Sequence, residues 1–126
     1  MDIFRLDHAN IRTTQLETMK AWYRDILGFE SGWRPAFPFP GAWMYRHGQA
    51  LVHLVEVADA GASGPDMALE HVAFSSRGLA TFRDHLKANN VRFEEVEVTD
   101  AGIIQMNVWD PDGNHLHIDF ALAEKA

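Results

Sequence analysis

The chain has 126 residues, 47% of them apolar, which is the size of one domain around a modest core. Its net charge is −7, from 11 basic and 18 acidic side chains, and no Lys/Arg cluster stands out, which argues against a nucleic-acid partner. There is no cysteine, so disulfides, thiolate metal sites and a cysteine nucleophile are excluded, and no apolar run approaches the roughly 18 residues of a membrane span.

Met1-Asp2-Ile3-Phe4-Arg5 leads straight into strand-like sequence without a signal-peptide pattern, so the cytoplasm is the expected compartment. A first strand is expected near residues 3–11. A helix follows near 15–27, where Leu16, Met19 and Tyr23 make the buried stripe. Thr14 and Glu17 have the spacing of a capping box, and Gly28 ends the helix. Three strands are expected near 29–34, 42–47 and 50–57. The Pro-rich piece Pro35-Ala36-Phe37-Pro38-Phe39-Pro40-Gly41 can be neither helix nor inner strand, and is an unusually apolar loop. Residues 59–68, opening with Asp59-Ala60-Gly61-Ala62-Ser63-Gly64-Pro65-Asp66, read as a linker. Beyond it come a strand near 69–75, a helix near 78–89, and strands near 91–98, 103–109 and 115–121. Asp110-Pro111-Asp112-Gly113-Asn114 is a tight turn.

The second half repeats the first. Leu6-Asp7-His8-Ala9-Asn10-Ile11 matches Leu69-Glu70-His71-Val72-Ala73-Phe74 at an offset of 63. By the same offset Leu16 matches Leu79, Met19 matches Phe82 and Tyr23 matches Leu86. Leu51-Val52-His53-Leu54 matches His115-Leu116-His117-Ile118 at an offset of 64, one loop residue having been added. The expected fold is therefore α+β: one domain, 1–126, of two tandem βαβββ modules, about 1–58 and 69–126.

Four of the seven histidines occupy repeat-equivalent places: His8 and His71 on the first strand of each half, His53 and His117 on the last. Two halves related by a pseudo-twofold axis would bring both pairs to one locus. His53 interrupts the run Leu51-Val52-Leu54-Val55, and a buried unpaired polar group costs roughly 1–3 kcal/mol, so it must meet a partner. Each histidine alone suits a core position satisfied by a backbone carbonyl; four at matched positions point to metal ligands. Imidazole suits Zn, Ni, Co, Cu or Fe, with water leaving a position open for substrate. His47 precedes Gly48 in a turn and His85 lies on the second helix; both read as surface. His115 shares a face with His117 and Asp119, and either steadies a ligand or sits at a strand-end surface. Strand parity puts Gln105, Asn107 and Trp109 on one face of the seventh strand, with Met106 and Val108 turned toward a helix. Trp43, Tyr45, Asn107 and Trp109, roofed by Phe37 and Phe39, would line a concave pocket for a small, partly apolar ligand. Aromatic residues that simply fill a core are the competing reading.

The paired units, Leu6-Asp7-His8, Glu70-His71-Val72-Ala73-Phe74 and Asp110-Pro111-Asp112-Gly113-Asn114 resemble the vicinal oxygen chelate superfamily along nearly the whole chain. That group includes glyoxalase I, fosfomycin-resistance proteins, extradiol dioxygenases, methylmalonyl-CoA epimerases and bleomycin-binding proteins. Phe39-Pro40-Gly41-Ala42-Trp43-Met44-Tyr45 followed by Val52-His53-Leu54 is similar to a glyoxalase-I-like subgroup. The resemblance implies the glyoxalase/bleomycin-resistance/dioxygenase fold, one divalent metal (Zn, Ni or Co in preference to Fe or Mn) and ligands at His8, His53, His71 and His117. It implies a homodimer whose sites draw on two subunits, and Arg12, four residues after His8, as a substrate-binding group where glyoxalase I holds glutathione. An ordinary surface arginine is the equal alternative.

The resemblance further implies an isomerase or lyase acting on a small oxygen-chelating substrate, such as a glutathione hemithioacetal. The last-strand ligands are usually glutamates in glyoxalase I, one of them the base, and both are histidine here. The base would then be His53 or His117 released from the metal, or a hydroxide that the metal carries. The alternatives are an Fe(II) ring-cleaving dioxygenase, whose carboxylate ligand is missing, a thiol transferase of the fosfomycin-resistance type, and a non-catalytic drug or metabolite binder.

Overall fold

The computed structural model describes residues 1–125, and they form two compact units, Met1–Gly61 and the residues from Ala62 on. In the first, β1 (Ala9–Thr13), α1 (Leu16–Asp25), β2 (Glu30–Gly32), β3 (Gly41–Arg46) and β4 (Gln49–Glu56) build a four-stranded sheet of order β1-β4-β3-β2. In the second, β5 (Val72–Ser75), α2 (Leu79–Ala88), β6 (Phe93–Val98), β7 (Ile103–Trp109) and β8 (His115–Ala121) build a sheet of the same design, β5-β8-β7-β6. In each, the first strand runs parallel to the last and the other pairs are antiparallel. The α+β architecture of two βαβββ modules is thus as the repeat implies.

The cores follow from the two periodicities. α1 buries Leu16, Met19 and Tyr23 against Ala42, Met44, Val52 and Leu54 of its sheet. The second unit buries Leu79 and Leu86 of α2 together with Ile104, Met106, Val108, Leu116, Ile118 and Phe120, and the Phe82 and Phe120 ring centroids lie 5.7 Å apart. Because strand side chains alternate, burying Val52 and Leu54 on the helix face sends His53 to the opposite face; Leu116 and Ile118 do the same for His117.

Some local details depart from expectation. β1 begins at Ala9 and β5 at Val72, because each ladder starts only at Ala9↔Val52 and Val72↔Leu116. His8 and His71 therefore stand just before their strands, and Ile3, Phe4, Leu6 and Leu69 are exposed. The Thr14/Glu17 capping box is not formed. α1 starts one residue later, with Gln15 at its N-cap and no side-chain cap bond. The amide of Gln15 instead donates to the buried Thr13 hydroxyl at 3.0 Å, and Glu17 pairs with Lys20. α2 opens on Gly78, which has no side chain to cap with; Glu124 Oε2, from a 3₁₀ turn at Leu122–Lys125, accepts the Gly78 and Leu79 amides at 2.7 and 2.9 Å.

His47 and Gly48 both have positive φ, 50° and 74°, which suits the two-residue turn that joins β3 to β4. The Asp110–Asn114 turn is held by Asp110 Oδ1, which accepts the Asp112 and Asn114 amides at 3.0 Å each.

Candidate functional site

The sheet face opposite the helix carries a histidine pair in each unit, and the two pairs have the same internal geometry. His8 and His53 stack with centroids 3.8 Å apart and planes at 10°. His71 and His117 stack with centroids 3.8 Å apart and planes at 10°. In each unit the acidic residue before the first histidine takes its Nδ1: Asp7 Oδ1 at 2.8 Å from His8, and Glu70 Oε2 from His71. A carboxylate at Nδ1 fixes the tautomer and leaves Nε2 with its lone pair available to a metal.

The charges suit that role. Hydrogen bonding to His8 holds the Asp7 carboxyl below its ordinary range. His71 first, then His115, do the same for Glu70. Burial, followed by repulsion from His8, lowers the pKa of His53, an effect to which Arg34 adds. Burial, followed by His71 and His115, lowers that of His117. Both rings favour the neutral form, the one that ligates metals or accepts a proton.

Beyond the shared motif the units differ. In the first, Trp43 faces His53 across the ladder and stacks on it at 4.0 Å and 13°, giving a Trp43/His53/His8 column. The column borders a cavity of about 500 Å³, whose wall also includes Asn10, Gln49, Val55, Phe37, Phe39, Arg5 and Arg34. Arg12 is exposed on β1 and is not part of that wall. Tyr45 is not part of it either: its hydroxyl donates to the Trp33 carbonyl at 2.6 Å and its ring lies over Gly32, where a Cβ would come within 2.8 Å. The register shift between Met44 and Tyr45 comes from Leu51, an extra residue on β4, and leaves the alternation of β3 intact, so Tyr45 shares a face with Trp43 but turns over Gly32 of β2 instead of into the cavity.

In the second unit Asn107 faces His117 and Trp109 faces His115 across the β7–β8 ladder. Glu70 reaches two rings, because its Oε1 also accepts from His115 Nδ1 at 2.9 Å. His115 Nε2 meets Asn107 Oδ1 at 2.8 Å, and Asn107 Nδ2 donates to the Glu94 carbonyl at 3.1 Å. Trp109 stacks on His115 at 5.1 Å and carries the Arg92 guanidinium 3.9 Å above its own centroid. Ligand atoms of His71, His115 and His117 lie within 4.8 Å of one another, close enough to hold one cation. Both nitrogens of His115 are already taken by Glu70 and Asn107, so it steadies the cluster, whereas His71 keeps Nε2 free. Asp119, on the same face of β8, has a buried Oδ1 without a hydrogen-bond partner, and burial raises its pKa against the opposing pull of His117 and His71. These donor sets fit a divalent cation: imidazoles that favour the neutral form, a carboxylate behind His8 and behind His71, and in the second unit the unsatisfied oxygen of Asp119.

His47 is exposed in its turn, as expected, and His85 is half-buried on α2 beside Asn89. The residues that reading the sequence did not single out are Asp7, Glu70 and Arg34. The signal for the first two was present as the acidic residue before His8 and His71 in the repeated Leu-Asp-His and Leu-Glu-His triplets.

The model of the Glyoxalase/Bleomycin resistance protein/Dioxygenase superfamily matches residues 5–118. No curated protein matches the chain by sequence. Among solved structures, a glyoxylase/bleomycin resistance protein/dioxygenase domain from Frankia sp. EAN1pec is 18% identical with a TM-score of 0.77, covering 95% of this chain and 93% of that one. The fosfomycin resistance protein FosX from Listeria monocytogenes is 17% identical with a TM-score of 0.72, covering 99% and 100%. A virulence protein from Salmonella typhimurium is 17% identical with a TM-score of 0.69, covering 96% and 99%. Likeness at such identities speaks for the fold alone.

Proposed function

The chain belongs to the Glyoxalase/Bleomycin resistance protein/Dioxygenase superfamily, and from that premise we propose that it is a metal-dependent glyoxalase-like enzyme, an isomerase or lyase acting on a small oxygen-chelating substrate. The observation that carries the reading is the duplicated carboxylate–histidine–histidine motif, Asp7/His8/His53 and Glu70/His71/His117, with the same stacking geometry in both units. We assign His8, His53, His71 and His117 as the ligands, with Zn, Ni or Co as the ion. A divalent ion there supplies Lewis acidity, which stabilises negative charge on a substrate oxygen and so acidifies a neighbouring C–H.

The side chains do the rest. Asp7 and Glu70 accept the Nδ1 protons of His8 and His71 and so present Nε2. The substrate proton would be taken up and returned at the imidazole nitrogen of His53 or His117, whichever of the two is released from the ligand set, and burial lowers the pKa of both. Trp43, stacked on His53, excludes water from one of its faces. Asn107 holds His115, which holds Glu70. A homodimeric assembly is part of this reading.

The test is turnover by the Zn-, Ni- and Co-loaded protein with methylglyoxal and glutathione, and with other hemithioacetals, beside oxygen uptake with catechols under Fe(II). Metal-dependent isomerisation that is lost in both His53→Gln and His117→Gln supports the proposal. Oxygen uptake with ring cleavage, or isomerisation indifferent to both substitutions, overturns it.

A further inference from the structure

We propose that the cavity of the first unit is an anion-binding site with Arg34 as its cationic pole, and that its ligand is a small molecule bearing a carboxylate or phosphonate on a flat, apolar body. This names a substrate class for the reading above, and rests on it only in taking the His8/His53 wall as the place where chemistry occurs.

Arg34 is held in place before any ligand arrives. Its Nη2 donates to the Phe39 carbonyl at 3.0 Å. Its Cζ lies 4.9 Å from the Phe37 centroid and 5.1 Å from that of Phe39. Gly41 leaves room for it, since a Cβ there would come 2.8 Å from Nη2. A long, flexible side chain fixed by three independent contacts has already surrendered the rotamer freedom that binding would otherwise cost. This gives the apolar Pro35–Pro40 loop a purpose: its rings and one of its carbonyls hold a guanidinium.

The charge so held is unmatched. Arg5, Arg24, Arg83 and Arg92 each sit beside a carboxylate. Among the described residues no carboxylate forms an ion pair with Arg34. Asp7, the one carboxylate in the cavity wall, is engaged by His8 and Arg5. A planar, half-buried fork of N–H donors, with one nitrogen on the Phe39 carbonyl and, among the described residues, none on a carboxylate, suits the two oxygens of a carboxylate or phosphonate.

The rest of the wall describes the ligand's other end. Phe37 and Phe39 stack at 5.2 Å with planes at 7° and are each only about 40% exposed, as 42% and 41%. With Trp43 and Val55 they make an apolar surface for a flat group, and Asn10 and Gln49 add amides for orientation. The volume of about 500 Å³ is that of a small-molecule site. Arg34 and the histidine pair border the same space, so an anion held by Arg34 would present its body to His53.

The experiment titrates phenylphosphonate, benzoate and neutral benzamide into metal-stripped and zinc-loaded protein by calorimetry, for the parent, Arg34→Met, Arg34→Lys and Phe39→Leu. The expected result is that both anions bind stripped parent protein roughly tenfold or more tightly than benzamide, and that Arg34→Met removes that advantage while leaving benzamide unchanged. Arg34→Lys, a point charge without the planar fork, falls between, and Phe39→Leu weakens the anions with Arg34 still present. These two variants keep the test decisive should Arg34→Met fail to fold. Benzamide binding as tightly as benzoate, anion affinity unchanged in Arg34→Met, or no binding of either anion at millimolar concentration overturns the inference. Zinc retention separates the two readings. Arg34-dependent anion binding by a protein that takes up no zinc upholds the anion site and sinks the metalloenzyme; zinc uptake with Arg34-independent binding does the reverse.

Discussion

Glu70 is the carboxylate on which the second histidine cluster turns, and Glu70→Gln isolates its role. The native side chain accepts from two rings, His71 Nδ1 and His115 Nδ1. A glutamine keeps the shape but has one carbonyl oxygen, so its amide group would oppose one imidazole N–H with another N–H. The ring so released loses its tautomer and its orientation. Loss of a partner behind a metal-bound histidine typically lowers metal affinity by about 10–100-fold. Because Glu70 anchors two rings and Asp7 anchors only His8, Glu70→Gln should fall toward the upper end of that range and Asp7→Asn toward the lower. Competition of each purified variant against a chromophoric zinc chelator at neutral pH measures this. Affinity of Glu70→Gln within about twofold of the parent, when about 10-fold is the least expected, would refute the argument that the carboxylate presents the ligands.

Stability of the metal-free protein should fall as the pH drops below 6.5. Burial holds the pKa values of His53 and His117 in the folded protein below the 6.5 of a free histidine, so the unfolded chain binds protons first and acid favours it; the contribution is complete above 6.5 and lost as pH falls toward the folded values. Thermal melts between neutral pH and about pH 5 should slope accordingly, less so in His53→Gln; a flat parental profile contradicts the sign. Glu124→Ala should cost about 1 kcal/mol by removing the cap of α2, read from denaturant midpoints, and no loss would mean that water caps the helix equally well. Gly41→Ala places a Cβ 2.4 Å from the Leu54 carbonyl. It should destabilise by roughly 1–3 kcal/mol, and an unchanged melting temperature would show that β3 yields freely there.

The repeat made the architecture readable. Leu16/Met19/Tyr23 and Leu79/Phe82/Leu86 encode two helices by their spacing, and alternation along β4 and β8 sends His53 and His117 away from them. What escaped depends on partners distant in sequence. No local pattern announces that Glu124 caps a helix opening 46 residues earlier. Tyr45 keeps the face that parity gives it but turns over Gly32 of β2, 13 residues earlier, and away from the cavity. Asp7 and Glu70 stood in the repeated triplets, but an acidic residue beside a strand also reads as ordinary surface. Arg34 could not be recognised from its neighbours in sequence alone, because Gly41, which makes room for it, matters only once the Pro-rich loop has folded back.

The most direct test of the metal centre is metal content by mass spectrometry on tag-free protein, after incubation with each divalent ion and dialysis, beside His8→Ala, His53→Ala, His71→Ala, His117→Ala and the exposed control His47→Ala. About one ion per chain in the parent and the control, reduced in each of the other four, is the predicted result. A parent that takes up no ion, or four variants that retain it as the control does, would show that the paired histidines are structural and would return the chain to the small-molecule-binding reading.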